Sequence, residues 1–227
     1  MEYFSFDFES NRFYSPGYLR CTLPEQVKKE VQNTIKKIDK GEIEVLDNRK
    51  NLAGHLVKET TYPVTEKLNY LVKSLCVEYK RIFSGENRFL DQYHPDFIQG
   101  YAEKGYIFEY VIRDLWINYG KKYDFNPIHN HTGAFSFVLW VKIPYKFEDE
   151  KKVYPLARGQ AGTFEFIHPN ANNAGGLGQS VIDTVEWDLI LFPSSLGHTV
   201  YPYYTSDEER ISIAGNLYLE PVEKENK

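Results

Sequence analysis

The sequence predicts a mainly β protein with its helices gathered toward the N-terminus and an antiparallel sandwich or barrel after them. Three observations carry this. Seven strand-like runs follow residue 106 with no helix-period segment between them. Two helix-period stripes precede them. Aromatic residues (15 Phe, 18 Tyr and 3 Trp) make up 16% of the 227 residues, a composition suited to pleated, half-buried surfaces.

Residues 3–8 alternate, with Phe4, Phe6 and Phe8 on one face, and predict a half-buried strand. Thr22, Pro24 and Glu25 then read as N-cap, first turn and capping box of a helix. Its apolar stripe is Val27, Val31, Ile35 and Ile38, and Asp39-Lys40-Gly41 closes it. A second helix follows Pro63, with Leu68, Leu71, Val72, Leu75, Tyr79 and Ile82 on one side and Ser84-Gly85 at its end. One apolar stripe each means that both helices lie against a sheet. The predicted strands are 106–119, 134–143, 162–167, 181–185, 188–192, 199–203 and 211–219. The charged stretch 145–159 reads as a linker, and the Asn-, Gly- and Ala-rich stretch 168–180 as a loop. Residues 1–105 are expected to pack a strand and helices on a β core of residues 106–227, one structural domain overall.

Several function classes are disfavoured by composition. Lys and Arg number 27 against 32 Asp and Glu, a net charge of −5, which argues against nucleic-acid binding by bulk charge. No apolar run approaches the ~18 residues of a membrane span, and Met-Glu-Tyr-Phe is unlike a signal peptide. A cytoplasmic location is expected. Cys21 and Cys76 are far apart and in no metal-binding spacing, so both read as reduced thiols.

Three places carry chemistry. In His129-Asn130-His131 an extended chain would turn both imidazoles one way. Taken alone, the pair is equally well read as two polar residues at a strand mouth. His198 follows the apolar run ending Leu191-Phe192-Pro193 and a tight turn, which sets it at the rim of the core. Along Arg210–Asn216, alternation puts Arg210, Ser212, Ala214 and Asn216 on one face and Ile211, Ile213 and Leu217 on the other. The apolar face suits the helices, so the polar face turns into the barrel. A buried Arg keeps its charge and needs an anion, and no carboxylate stands on that face. A bound carboxylate, gripped by the Arg210 fork and the Ser212 hydroxyl, satisfies it. The competing reading pairs Arg210 with Asp207-Glu208-Glu209 in solvent.

With these residues the sequence resembles the 2-oxoglutarate/Fe(II)-dependent oxygenase superfamily, and its microbial and phage group most of all. The resemblance runs through Trp116-Ile117-Asn118, His129-Asn130-His131, Trp140–Pro144, Asp188–Ser194, His198 and Arg210–Asn216, about half of the chain. It implies a double-stranded β-helix, or jelly-roll, with a metal at one mouth. It implies His129 and His198 as Fe(II) ligands, Arg210 and Ser212 on the distal carboxylate of 2-oxoglutarate, and Trp116 and Asn118 lining that pocket. The implied activity is a hydroxylase that couples oxidative decarboxylation of 2-oxoglutarate to C–H oxidation, with ascorbate as a stimulant. The substrate would be a small molecule or a protein side chain, and a homodimer is compatible with the open sheet edges.

One departure matters: His131 stands where the superfamily usually has Asp or Glu. His131 would then be the third ligand, or a carboxylate such as Asp124 or Glu165 would take that place, or the place would be vacant as in halogenases, where Gly or Ala replaces the acid. Two rival functions stay open at this point. One is a cupin-type metal dioxygenase or halogenase with different cosubstrate use. The other is a non-catalytic metal- or carbohydrate-binding jelly-roll.

Overall fold

The computed structural model describes residues 5–11, 17–51, 54–83, 95–153, 160–170 and 176–223. Its elements are β1 (Phe8–Asn11), β2 (Tyr18–Thr22), α1 (Glu25–Asp39), β3 (Lys58–Thr61), α2 (Glu66–Phe83), α3 (Pro95–Ala102), β4 (Tyr106–Gly120), β5 (Asn126–His129), β6 (Phe135–Lys142), α4 (Phe147–Val153), β7 (Phe164–Asn170), β8 (Gly176–Ile182), β9 (Asp188–Pro193), β10 (Gly197–Val200) and β11 (Arg210–Glu223). Seven strands form one sheet in the order β1-β2-β9-β6-β11-β4-β3, and four form another in the order β5-β10-β7-β8. Every pairing within them is antiparallel. This is the expected double-stranded β-helix, with helices on the outer face of the larger sheet.

Two cores hold the layers together. Val27 and Val31 of α1 and Leu68, Leu71, Leu75 and Tyr79 of α2 pack on Leu139, Leu189, Leu191, Ile213 and Leu217 of the large sheet. Between the sheets, Trp140, Ile190 and Phe192 meet Phe164, Phe166 and Ile182. Strand β9 is buried at every position because its two faces serve different cores. The same division applies to β11, whose Ile213 and Leu217 face the helices. Ile213→Ala is expected to cost about 2–5 kcal/mol by opening a hole in the helix–sheet core, read as a lower urea midpoint with an unchanged slope.

Several expectations need correction. Thr22 does not cap α1. It ends β2 and donates to Asp188 Oδ1 at 2.7 Å, while Pro24 occupies the cap position without a side-chain bond. A cap signal and a strand end share the same residue type, and pairing of β2 with β9 wins. The start of α2 is capped from outside: the Glu30 carboxylate of α1 accepts the Lys67 and Leu68 N–H groups at 3.0–3.1 Å. The N-terminal strand begins only at Phe8, although Phe6 and Phe8 both pack on the core as their alternation predicts. Residues 3–4, the Ser84-Gly85 helix end and His94 lie outside the described residues.

The stretch 145–159 holds helix α4 rather than a plain linker. Its Glu150, fully buried, accepts the Tyr204 and Thr205 N–H groups at 2.7 and 2.9 Å. The stretch 168–180 is mostly the β7–β8 hairpin, which also draws the predicted strand 181–185 back to 176–182. Short strands β2, β3 and β5 and helix α3 were not expected, because each is too short for its own period to stand out. Cys21 and Cys76 are free and buried, and burial pushes the Cys21 thiol up to about 12. Among the described residues no helix is long and apolar enough to cross a membrane.

Candidate metal centre

Pairing of β5 with β10 sets His129 directly opposite His198. Opposed residues on antiparallel strands share a face, so these two rings meet with centroids 4.2 Å apart. His131 arrives by a different route from the one expected. Strand β5 ends at His129, and the backbone then turns, anchored by His131 N–H donating to the Ser194 carbonyl at 2.8 Å. The turn brings the His131 ring to 5.0 Å from His129 and 5.1 Å from His198. One ligand atom from each of the three histidines lies within 4.8 Å of the others.

The rings are prepared as electron-pair donors. His129 Nδ1 lies 2.7 Å from the Pro127 carbonyl and His198 Nδ1 lies 2.9 Å from the Leu196 carbonyl. A carbonyl only accepts, so both Nδ1 atoms carry the proton and both Nε2 lone pairs are free. Burial lowers the basicity of all three rings, and His131 falls to about 4 with the His129 charge adding to the effect. At neutral pH they are uncharged imidazoles, the form that binds a metal. His198 is 3% exposed, stacked on Phe164 and edged by Phe192, so one wall of the site is apolar.

The alternative oxygen ligands are engaged elsewhere. Asp124 accepts the Lys121 N–H at 2.8 Å. Glu165 accepts from Gln160 at 2.9 Å and from the Tyr201 hydroxyl at 2.6 Å. Among the described residues, no carboxylate joins the histidine cluster. The glycine of His131-Thr132-Gly133 has a backbone explanation: its φ is +108°, and a Cβ there would stand 2.8 Å from the Leu217 carbonyl oxygen.

A cavity between the sheets runs from these rings past Trp116, Asn118, Ser136 and Asn216 to Ser212. Arg210 lies one alternation beyond Ser212 and does not itself line the cavity. It is 5% exposed. Its Nη1 donates to the Tyr145 hydroxyl and the Tyr201 carbonyl, each at 3.2 Å, and the guanidinium lies 5.4 Å from the Tyr203 ring centre. All of these partners are neutral. The nearby acidic run pairs elsewhere, Asp207 with Lys122 and Glu208 with Lys142. Among the described residues no carboxylate forms an ion pair with Arg210. A buried cation with neutral neighbours is a receptor for an anion.

Sequence reasoning missed this aromatic box. Tyr145 stacks on Tyr203 at 4.7 Å, and Glu150 of α4 fixes the 204–205 backbone beside it. The cluster Tyr201-Pro202-Tyr203-Tyr204 was the available signal. Also missed was the Ser136 hydroxyl, which bridges Ser194 at 2.9 Å and Asn216 at 2.8 Å along the cavity wall. Trp116 stands 5.7 Å from His131, and Asn118 Nδ2 donates to Ser212 Oγ at 3.4 Å. His168 belongs to the hairpin and bonds Ser180 at 3.0 Å.

Comparison with known proteins bears on the fold and on the family the chain resembles. Residues 114–216 match the model of a family described as "Putative 2OG-Fe(II) oxygenase". A prolyl-4-hydroxylase from Pseudomonas putida superposes with a TM-score of 0.51 at 12% identity, covering 89% of this chain and 92% of that one. A Trichoplax adhaerens prolyl hydroxylase, solved with a hypoxia inducible factor peptide fragment, gives 0.51 at 14% identity over 89% and 82%. At these identities the two structures speak to the fold. No curated protein matches the sequence.

Proposed function

We propose that this chain, whose residues 114–216 match that family model, is a 2OG-Fe(II) oxygenase that uses Fe(II) and 2-oxoglutarate, a hydroxylase in which His129, His131 and His198 hold the iron. The observation that supports this is the meeting of three uncharged imidazoles at one end of a cavity that also reaches Ser212, two residues along β11 from a buried Arg210 with no carboxylate partner among the described residues. Arg210 and Ser212 take the distal carboxylate of 2-oxoglutarate, and Asn118 and Trp116 flank its chain. When bound, iron and the 2-oxo acid together activate O2, so that one oxygen atom leaves in succinate, CO2 is released and the other oxygen enters a C–H bond.

The chain's own contribution is placement. The carbonyls of Pro127 and Leu196 hold two rings in one tautomer. Phe164 and Phe192, packed on His198, would keep water from one side of a metal held there, and the aromatic box braces the guanidinium. The substrate is a small molecule or a protein side chain. A halogenase reading is weaker, since Gly133 serves the turn and His131 fills the third place.

Purified protein given Fe(II), O2 and 2-oxoglutarate is expected to release succinate and CO2 in equal amounts, and His198→Ala to release none. Iron-loaded protein that leaves 2-oxoglutarate intact in the presence of a broad panel of peptide and metabolite substrates would remove this reading.

A further inference from the structure

Strand β3 is the edge of the large sheet, and its Glu59 lies directly opposite Asn118 of β4. Asn118 in turn lies opposite Ser212 of β11. Opposed residues share a face with Cβ atoms about 4.5–5.5 Å apart. Glu59, Asn118 and Ser212 therefore form a row across three strands on the cavity face. Glu59 is 2% exposed, and among the described residues no cation pairs with it. Its Oε1 accepts from Asn48 Nδ2 at 2.7 Å, while its Oε2 is buried with no partner. Asn118 Oδ1 is likewise buried with no partner. Two unsatisfied acceptors side by side are costly to bury, and one proton or one amide rotation resolves them.

The two solutions differ at Ser212. With Glu59 neutral, Oε2–H donates to Asn118 Oδ1 and Asn118 Nδ2 donates to Ser212 Oγ. The Ser212 proton is then free to point into the cavity. With Glu59 ionised, the carboxamide turns over, Nδ2 donates to Oε2 and Oδ1 accepts the Ser212 proton. The hydroxyl then offers only lone pairs to a ligand. We propose that Glu59 is a positioning residue that sets, through Asn118, whether Ser212 donates its hydroxyl to the carboxylate in the cosubstrate pocket. This rests on the role given to Ser212 above.

Burial pushes the Glu59 carboxyl up to about 7, against the Asn48 hydrogen bond and with a smaller push from Asp47. The charged groups around it leave that balance in place. Asp47 is bonded to Arg49, Lys58 lies on the opposite face over Tyr119, and Arg210 sits beyond Ser212 with Tyr145 and Tyr201. The donor is therefore present below about pH 7 and lost as pH rises through it.

The test is calorimetric binding of 2-oxoglutarate to the full chain with Mn(II), from about pH 6 to about pH 8.5. Wild type is expected to weaken about tenfold across that range, the worth of one hydrogen bond to a charged group. Glu59→Gln is expected to bind tightly with no such slope, because its amide N–H donates at every pH. Asn118→Ala cuts the row at its centre and is expected to lose the slope as well. Equal slopes in wild type and Glu59→Gln, with binding still dependent on Arg210, overturn the role of Glu59 alone. Wild-type binding that is absent, or indifferent to Arg210→Ala, overturns the carboxylate pocket and this inference with it.

Discussion

Arg210→Ala is expected to weaken 2-oxoglutarate binding by roughly 30-fold to a few thousand-fold, about 2–5 kcal/mol. The magnitude follows from the surroundings. The side chain is 5% exposed and its Nη1 partners are a hydroxyl and a carbonyl, so an arriving carboxylate meets a cation that protein charge has not neutralised. Arg210→Lys keeps the charge but not the planar fork and is expected to recover only part of the affinity. Because Nη1 also braces Tyr145 and Tyr201, thermal unfolding of each variant separates lost affinity from lost packing. 2-Oxo acids that lack the distal carboxylate, such as 2-oxopentanoate, are expected to bind wild type and Arg210→Ala alike. A variant that binds 2-oxoglutarate as wild type does would end the assignment of Arg210.

His198→Ala is expected to lower Fe(II) affinity by at least about 100-fold, since substitutions merely behind a ligand cost 10–100-fold. Its loss also leaves a gap against Phe164 and Phe192, so His198→Gln is the companion variant of closer size. His131→Ala discriminates the third ligand. With Asp124 and Glu165 held by other partners, the variant has no reserve donor and is expected to lose metal to a similar degree. His131→Asp offers a carboxylate at the same place and is expected to regain it. Three neutral ligands leave the ion with its full charge of two, one more than a set with a carboxylate, which favours a dianionic cosubstrate. Wild-type affinity in His131→Ala would show that the third position is not histidine.

Much of this was legible because alternation is a strong signal in long strands. On β11 the sequence separated Arg210, Ser212 and Asn216 from Ile213 and Leu217; Ser212 and Asn216 do line the cavity and Ile213 and Leu217 the helix core, while Arg210 lies beyond the cavity lining. Strand β9 was visible as an unbroken apolar run. Short elements were not. Four-residue strands such as β3 and β5 carry too few alternations to register, and β3 holds Glu59 while β5 ends in His129. Helix α4 was hidden by its charge, since Lys146 to Lys152 reads as solvated chain although Glu150 is its buried anchor. Trp187 shows a different limit. Its φ of +67° is one that glycine usually supplies, and it is held by tertiary contacts: its N–H donates to the Trp140 carbonyl, the Leu23 N–H donates to the Trp187 carbonyl, and its ring packs on the helix–sheet core. The convergence of His131 with the other two rings depends on a turn rather than on strand periodicity, which the extended-chain argument did not contain.

Strand β5 is four residues long, lies at the border of the small sheet and is paired with β10 by a register that shifts after His198. One of its two registered partners is the His129–His198 couple. An ion gripped by both imidazoles would thus act as a rivet through the seam, fastening a short ribbon with few ladder bonds of its own. Removal of such an ion would then loosen that border.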